Sequence, residues 1–196
     1  MGPSNRVVLV RHGETEWSKS GQHTGRQDIP LTEEGRRQAT LLRAPLGRWT
    51  FARVWSSPSS RARDTCTLAG LGDRAETDPD LMEWDYGAYE GRKRADILRD
   101  DPGWWLWRDG CPGGENPEQI GARADRVLAR LREVDGDVVL FAHGHILRVI
   151  SARWLEEPVA FGEHLALSTA SLSVLGQEHT ADAIWLWNDT SHLRGG

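Results

Sequence analysis

Several residue types are scarce in this chain, and each scarcity excludes a class of protein. Two cysteines among 196 residues, Cys66 and Cys111, form no disulfide framework and have no partners at zinc-ligand spacing. Lysine occurs twice among 24 basic residues, the net charge is -5, and no basic block suited to nucleic acid is present. No apolar run approaches the roughly 18 residues that span a bilayer, and the segment before Val7 lacks the apolar stretch of a signal peptide. We therefore expect a cytoplasmic protein that binds neither nucleic acid nor membranes.

The overall amino-acid composition is typical of a globular protein. Hydrophobic residues make up 38% and charged residues 27% of the chain, and this length suits one domain, 1–196. Strand-like and helix-like segments alternate, which predicts an α/β three-layer sandwich with a mostly parallel central sheet and helices on both faces. The segment 78–114 fits neither periodicity. We expect it to be an excursion that forms a wall of the functional site.

Local patterns place the individual elements. Helices are expected to begin after three N-caps: Thr32, Ser57 with proline behind it, and Asn116 with Gln119 at the capping-box position. The first of these helices is expected to run to about Leu46. The predicted strands cover residues 6–10, 53–56, 137–142, 171–175 and 183–187.

The first predicted strand ends in Arg11-His12-Gly13-Glu14. A buried strand is a rigid mount, and its carboxyl end lies where open α/β folds place their sites. A neutral imidazole there can attack phosphorus while a neighbouring guanidinium holds the phosphoryl oxygens. Taken alone, the pair equally describes two surface polar residues at the end of a strand.

Three further motifs occur in order along the chain. Ser57 to Arg61 joins the second strand to a helix, Glu83 lies in the excursion, and His143-Gly144-His145 ends the strongest strand. With these motifs the chain resembles the histidine phosphatase superfamily, the phosphoglycerate-mutase-like group. Three stretches resemble its branch of fungal sedoheptulose-1,7-bisphosphatases and small actinobacterial acid phosphatases: Trp17–Gly25, Glu83–Gly91 and Trp107–Cys111.

The resemblance and the chemistry of the residues imply the same roles. His12 is the expected nucleophile that becomes a phosphohistidine. Its attacking nitrogen must be unprotonated, so the other nitrogen is expected to donate to a backbone carbonyl. Arg11, Arg61 and His143 are expected to stabilise the charge on the transferred phosphoryl group. No metal ion or cofactor is expected, because no histidine and carboxylate pair occurs at metal-ligand spacing.

Glu83 is the candidate general acid and base. One carboxyl group can protonate the leaving alkoxide and later accept a proton from the attacking water. A nearby phosphate dianion is expected to keep Glu83 protonated, which predicts an acidic pH optimum. The alternative carboxylates are Glu14, Glu16, Asp85 and Glu90.

A second group of residues is predicted to contact phosphate or the rest of the substrate. The predicted phosphate contacts beyond the catalytic group are Ser18 and Gly144; the predicted substrate contacts are Thr24, Gly25, Tyr86 and Arg108. Arg108 could clamp a second phosphate or a carboxylate. For His145 a structural role is at least as well supported as a substrate contact. Trp104, Trp105 and Trp107 are expected to pack under the long loop, and a homodimer through this tryptophan-rich wall is the alternative.

The sequence therefore favours a metal-independent phosphomonoester hydrolase that acts on a small phosphorylated metabolite, such as a sugar phosphate or bisphosphate. A phosphoglycerate mutase is the first alternative. Mutases of the family usually carry asparagine where this chain has Ser18, and their longer middle insertion keeps the phosphohistidine dry. An inactive phospholigand-binding or protein-interaction module is the second alternative.

Overall fold

A six-stranded sheet with helices on both faces forms the frame of the molecule. The computed structural model describes residues 5–194, so the first four residues of the N-terminal segment considered for a signal peptide lie outside it. The strands are β1 (Val7–Arg11), β2 (Phe51–Ser56), β3 (Ala75–Thr77), β4 (Asp137–Ala142), β5 (Leu172–Glu178) and β6 (Ala181–Asp189). Their order across the sheet is β3-β2-β4-β1-β5-β6.

The α-helices alternate with the strands, as the sequence predicts. They are α1 (Glu16–Ser20), α2 (Glu33–Leu41), α3 (Arg43–Leu46), α4 (Ser60–Leu68), α5 (Arg94–Asp100), α6 (Leu106–Asp109), α7 (Pro117–Arg132) and α8 (Gly144–Trp154). The pairs β1–β4, β4–β2 and β2–β3 are parallel, whereas β5 joins β1 and β6 in antiparallel pairs. The predicted mostly parallel three-layer arrangement is confirmed.

One hydrophobic core lies on each face of the sheet. Every residue of β4 after Asp137 is buried, as expected for a central strand that is covered on both faces. The larger core joins the sheet to α7, α8 and the tryptophans of the excursion. The smaller core joins the opposite face to α2, α3 and α4 through Leu42, Leu46 and Cys66. In α7 the predicted capping box and apolar stripe are both present.

The helix after β2 begins later than the sequence predicts. Ser57 is not its N-cap: the Ser57 amide donates to the Phe141 carbonyl at 2.9 Å, which continues the sheet ladder by one residue. The helix starts at Ser60, and the Oδ1 atom of Asp28 accepts from the Ser60 amide at 2.9 Å. A carboxylate from a distant loop thus binds the first amide of the helix, and the hydroxyl of Ser57 is free for another partner.

The remaining differences in the elements are smaller. The helix expected to run from Thr32 to about Leu46 is divided at Leu42 into α2 and α3. The short strand β3 carries no periodic signal in its three residues, and it exists because β2 offers it an edge. Both closing strands extend beyond their predicted bounds, to Glu178 and to Asp189.

The excursion 78–114 folds back onto the sheet instead of projecting into solvent. It contains α5, α6 and two single turns of 3₁₀-helix, at Pro79–Leu81 and Gly87–Tyr89. Trp104 and Trp107 are buried in the larger core and Trp105 is partly buried, which confirms the predicted packing.

The cysteines lie in separate cores, and each is a free thiol. Burial raises the pKa of Cys66 and Cys111 to about 12, so neither is a thiolate at neutral pH. No helix within residues 5–194 is long and apolar enough to cross a membrane.

Two glycines let α2 pack directly against the loop that follows β1. A Cβ atom on Gly35 would lie 2.0 Å from the Glu14 carbonyl oxygen, and one on Gly13 would lie 2.4 Å from the Gly35 carbonyl oxygen. The first turn of α2 therefore fixes the backbone on both sides of Gly13.

We predict that Gly35→Ala destabilises the protein although alanine favours helix formation. The overpacking is expected to cost about 1–3 kcal/mol, which lowers Tm by about 2–12 °C for a domain of this size. Gly103→Ala is the matched control, because its Cβ meets nothing closer than 3.9 Å. Equal Tm values for the two variants in thermal denaturation would contradict the packing argument.

Candidate functional site

Three adjacent strands end at one edge of the sheet, and two of them are followed by predicted site residues, His12 and His143. In the sheet register Arg11 lies opposite Ala142, and Ser56 lies opposite Phe141. His12 follows β1, His143 follows β4 and Ser57 follows β2, so parallel pairing brings the three side chains together. The ring centroids of His12 and His143 are 5.2 Å apart.

His12 is held as a neutral imidazole with one nitrogen free. The ring is buried, and its Nδ1 atom lies 2.7 Å from the carbonyl oxygen of Gly13, to which it donates. Burial, together with the charges of Arg61 and Arg11, holds the pKa of His12 well below its usual value. The proton on Nδ1 leaves a lone pair on Nε2, which is the state that the nucleophile requires. The hydrogen bond expected for the second nitrogen is thus present.

Arg61 is a fully buried cation that is solvated by the protein itself. Its guanidinium donates to the backbone carbonyls of Thr24, Gly25 and Gln27 at 3.0–3.2 Å. Asp28, at 3.9 Å, supplies a distant countercharge. Burial lowers the pKa of Arg61, but an arginine retains its charge at neutral pH. Arg61 therefore ties the segment from Thr24 to Gln27 to the base of α4.

A short hydrogen-bond chain runs from Arg61 through His143 to Ser57. The Nε atom of Arg61 lies 3.1 Å from Nδ1 of His143, which accepts because an arginine N–H can only donate. The proton of the ring is then on Nε2, which donates to Ser57 Oγ at 2.7 Å. Burial, followed by the charge of Arg61, holds the pKa of His143 well below its usual value. Both nitrogens of His143 are occupied in this arrangement.

A cavity of about 180 Å³ opens beside His12 at this edge of the sheet. Several predicted site residues line it: Arg11, His12, Ser18, Thr24, Glu83, Tyr86 and Gly144. Arg61 and His143 do not line it but lie fully buried behind it.

Arg11 supplies the cavity with an unused donor. Its Nη1 atom donates to the carbonyl oxygen of Leu167 at 2.5 Å. Its Nε atom is buried and has no hydrogen-bond partner within residues 5–194. A buried N–H of a cation without a partner is costly, and an anion in the cavity would satisfy it. Burial lowers the pKa of Arg11, and the charge of Glu83 opposes that shift.

Glu83 lies against the N-terminus of α8, where backbone amides surround its carboxylate. Its carboxylate accepts from the backbone amides of Trp84, His145 and Ile146 at 2.9–3.1 Å. Burial by itself raises the pKa of Glu83, but the contacts of its carboxylate with the side chain and the amide of His145 outweigh it. The net pKa lies well below the usual value. The carboxylate is therefore ionised in the empty site, whereas the prediction that a phosphate dianion keeps Glu83 protonated concerns the occupied site and stays a prediction.

The same contacts change the role of the helix terminus. Amides at the start of a helix suit an anion, and the anion that these amides bind is the carboxylate of Glu83, from the excursion. Gly144 still lines the cavity, and a Cβ on this residue would meet Arg11 at 3.5 Å, an ordinary contact.

Tyr86 and His145 form a neutral pair on the wall of the cavity. The Oη atom of Tyr86 lies 2.6 Å from Nδ1 of His145. Burial raises the pKa of Tyr86 well above its usual value, and burial lowers the pKa of His145. The phenol therefore keeps its proton, and one hydrogen bond joins the neutral phenol to the neutral imidazole. His145 lines the cavity, and its burial and ring packing also suit the structural role weighed above.

Arg148 lines the cavity together with Arg11, whereas Arg108 lies elsewhere. Arg108 is exposed on α6, where its guanidinium pairs with Asp109 and donates to the Gly103 carbonyl oxygen. The prediction that Arg108 reaches the substrate is not supported by its position. Arg148 donates to the carbonyls of Gly162 and Glu163 and lies over the Trp107 ring, 4.7 Å from its centroid.

A sequence signal for Arg148 did exist. It follows Gly144 by four residues on α8 and therefore shares the helix face that meets the cavity. His23, which also lines the cavity, carries no such signal, because it lies in an irregular loop.

Two further predicted residues, Ser18 and Gly25, act through a helix cap and through backbone hydrogen bonds. Ser18 lines the cavity, but its hydroxyl already belongs to the capping box of α1 with Thr15. The Gly25 amide donates to Glu90 at 2.7 Å, and its carbonyl accepts from Arg61. A Cβ on Gly25 would lie 2.6 Å from the Trp84 carbonyl oxygen, which explains why this position is a glycine.

Within residues 5–194 no cluster of three His, Cys, Asp or Glu residues is arranged to hold a metal ion.

Comparison with known proteins agrees with this geometry. The family model of the histidine phosphatase superfamily (branch 1) matches residues 7–190.

The chain belongs to this superfamily.

Among members of the superfamily, an acid phosphatase of Mycobacterium tuberculosis is 41% identical over 98% of this chain and 97% of its own length. Sedoheptulose 1,7-bisphosphatase of Saccharomyces cerevisiae is 40% identical over 76% of this chain and 67% of that protein. The solved structure of a mycobacterial glucosyl-3-phosphoglycerate phosphatase superposes with a TM-score of 0.83 at 32% identity, covering 95% of this chain and 100% of that one. The resemblance inferred from the motifs is confirmed.

We predict that inorganic phosphate stabilises this histidine phosphatase through Arg11. Phosphate at about 100 times its Kd is expected to add about 2.7 kcal/mol, which raises Tm by about 5–11 °C. The increment should be lost in Arg11→Met, because the unpartnered Nε donor is gone. Arg108→Met is the matched control and should keep it. A full increment in Arg11→Met would show that the anion binds elsewhere.

Proposed function

We propose that this protein is a metal-independent phosphomonoesterase that works through a phosphohistidine at His12. The proposed substrate is a small phosphorylated metabolite, a sugar phosphate or bisphosphate. The observation that carries the proposal is the state of His12, a neutral imidazole whose Nε2 is free and which lines the same cavity as the cationic Arg11. We also propose that 1–196 acts as one domain in the cytoplasm, for which the composition is the support.

In the first step, Nε2 of His12 attacks phosphorus in line with the ester oxygen. The N–P bond forms as the P–O bond to the leaving group breaks, and the negative charge is spread over three equatorial oxygens. Arg11 supports these oxygens from the wall of the cavity, and Arg61 adds a buried charge behind it. The Nδ1–H bond to Gly13 keeps the ring oriented while it becomes positively charged.

Glu83 manages the proton in both steps of the proposed reaction. Its ionised form is stable in the empty site, so it takes up a proton only when an anionic substrate raises its pKa. That proton goes to the leaving alkoxide. In the second step the carboxylate accepts a proton from the water that attacks the phosphohistidine, and inorganic phosphate leaves.

The substrate class rests on the relatives and on charge. The relatives include a sedoheptulose bisphosphatase and a glucosyl-3-phosphoglycerate phosphatase by name. Arg148 lines the cavity with a second cationic group beyond Arg11, which suits a substrate that carries more than one anionic or polar group.

We predict that His12→Asn abolishes phosphate release and phosphoenzyme formation. After brief incubation with a ³²P-labelled phosphomonoester, the wild-type protein should carry a label that survives alkali and is lost in acid, as a phosphoramidate is. His179→Asn, at an exposed histidine, is the matched control and should be labelled normally.

Two results would refute this mechanism. The first is unchanged phosphate release by His12→Asn, and the second is a label that is stable in acid. The same protein also tests the mutase alternative, because a mutase would interconvert 2- and 3-phosphoglycerate instead of releasing stoichiometric phosphate.

We predict that Glu83→Gln has an effect that depends on the leaving group. Glycerol 3-phosphate has a poor leaving group that needs a proton, so kcat/KM should fall by about 10²–10⁴-fold. The initial burst from p-nitrophenyl phosphate should persist, because p-nitrophenolate leaves without help. Glu16→Gln, at an exposed carboxylate near the site, is the matched control.

The pH dependence follows from the directions of the two pKa shifts. The pKa of His12 is lowered, so the nucleophile stays neutral well into the acidic range. The pKa of Glu83 is also lowered, so its protonated fraction falls as pH rises. For wild-type protein and glycerol 3-phosphate, kcat/KM should therefore fall with increasing pH. A rate that still rises above neutral pH would contradict the role of Glu83.

A further inference from the structure

A second cavity lies next to the one that contains His12. It has a volume of about 270 Å³, and it shares His23, His145 and Arg148 with the first cavity. We name it the tryptophan compartment; its other walls include Trp104, Trp105, Trp107, Arg94 and Glu163. The first cavity alone is smaller than the roughly 300–1,000 Å³ that is usual for a ligand site, whereas the two together fall within that range.

The boundary between the two cavities is built from fixed side chains. Nδ1 of His23 donates to the Arg92 carbonyl oxygen at 2.8 Å, and its ring packs edge-on against Tyr86 and Trp104. Arg148 is held by two backbone carbonyls and by the ring of Trp107. Because these groups are already anchored, the walls that the two cavities share have a fixed position.

The compartment combines an aromatic surface with both kinds of hydrogen-bonding group. Trp104 donates to the Gly110 carbonyl oxygen and Trp107 packs against Trp84 and Arg148, so both indoles are committed to the core. Trp105 is partly buried, and its Nε1 donates to Oε1 of Glu163 at 3.2 Å. It is the indole whose surface is left for a ligand.

Arg94 and Glu163 supply the polar contacts of the compartment. Arg94 is exposed on α5, and its guanidinium makes no hydrogen bond or ion pair with another residue of 5–194. Arg94 can donate and the carboxylate of Glu163 can accept. A sugar ring matches this set, since its C–H face packs on an indole while its hydroxyls both donate and accept. A second phosphate matches it less well, because Glu163 would repel it.

We propose that the tryptophan compartment binds a sugar ring of the leaving group, so that the substrate is a phosphorylated carbohydrate that spans both cavities. The phosphoryl group lies against His12, and the sugar lies on Trp105 between Arg94 and Glu163. This inference rests on the proposed phosphatase function and adds the place where the sugar part of the substrate binds.

The test compares a substrate that has a sugar ring with one that has none. Wild-type protein is expected to hydrolyse glucose 6-phosphate with a kcat/KM about tenfold above that for glycerol 3-phosphate. In Trp105→Leu and in Arg94→Ala this preference should fall to about one, through KM for the sugar phosphate, with glycerol 3-phosphate unaffected. Trp105→Phe should restore most of the preference, because it keeps an aromatic face.

Matched controls separate this role from general effects on stability or charge. Trp185→Leu removes an exposed tryptophan from β6, and Arg99→Ala removes an exposed arginine from α5, the helix that carries Arg94. Both should keep the wild-type preference. Arg94→Ala changes an exposed side chain, so it reports on the compartment even where Trp105→Leu folds poorly.

Three other outcomes would overturn the inference that the tryptophan compartment binds a sugar. A preference that Trp105→Leu and Arg94→Ala leave unchanged, or equal rates for the two substrates in wild-type protein, would exclude a sugar site. A loss confined to adenosine 5′-monophosphate would show that the compartment takes a flat base. Hydrolysis of p-nitrophenyl phosphate in these experiments would show that the phosphatase function survives; its absence would refute that function as well.

Discussion

The buried guanidinium of Arg61 is the constraint around which the site is arranged. A cation removed from water costs several kcal/mol unless the protein replaces the lost hydration. Here backbone carbonyls of the segment Thr24–Gln27 and the imidazole of His143 replace it. The same bonds hold that segment against the cavity and fix the tautomer of His143. The charge of Arg61 also lowers the pKa of His12, so one buried group fixes a segment of the cavity wall and favours the neutral form of His12.

Glu83 places a negative charge beside the cavity and connects the excursion to the helix that follows β4. Its carboxylate accepts the first free amides of α8, which lie directly behind His143. The resulting site holds ionised groups at Arg11, Arg61 and Glu83 beside neutral imidazoles and a protonated Tyr86. In the proposed reaction an arriving phosphate dianion would satisfy Arg11 and oppose Glu83. Electrostatics in one small cavity would then link substrate binding to proton uptake.

Much of this could be predicted from local sequence. The motifs that end in His12 and His143 follow continuous apolar strands, and Asn116 with Gln119 marks the start of α7. These features depend on periodicity and on neighbours within a few residues, which a sequence shows directly. The helix after β2 was misplaced because the group that binds its first amide is Asp28, a residue 32 positions away. Arg108 was predicted to reach the substrate, but the position of α6 in the fold leaves it exposed, where it pairs with the adjacent Asp109.

The sequence by itself determined the family, the order of strands and helices, and the identity of the histidine at the end of β1. Those properties follow from residue type and spacing along the chain. The tertiary structure alone decided that Glu83 is ionised, that Arg148 lines the cavity, and that Trp105 is left partly exposed beside it. Each of these depends on burial and on contacts between segments far apart in the chain. A local sequence pattern shows neither the electric field at a side chain nor how much water its folded neighbours exclude.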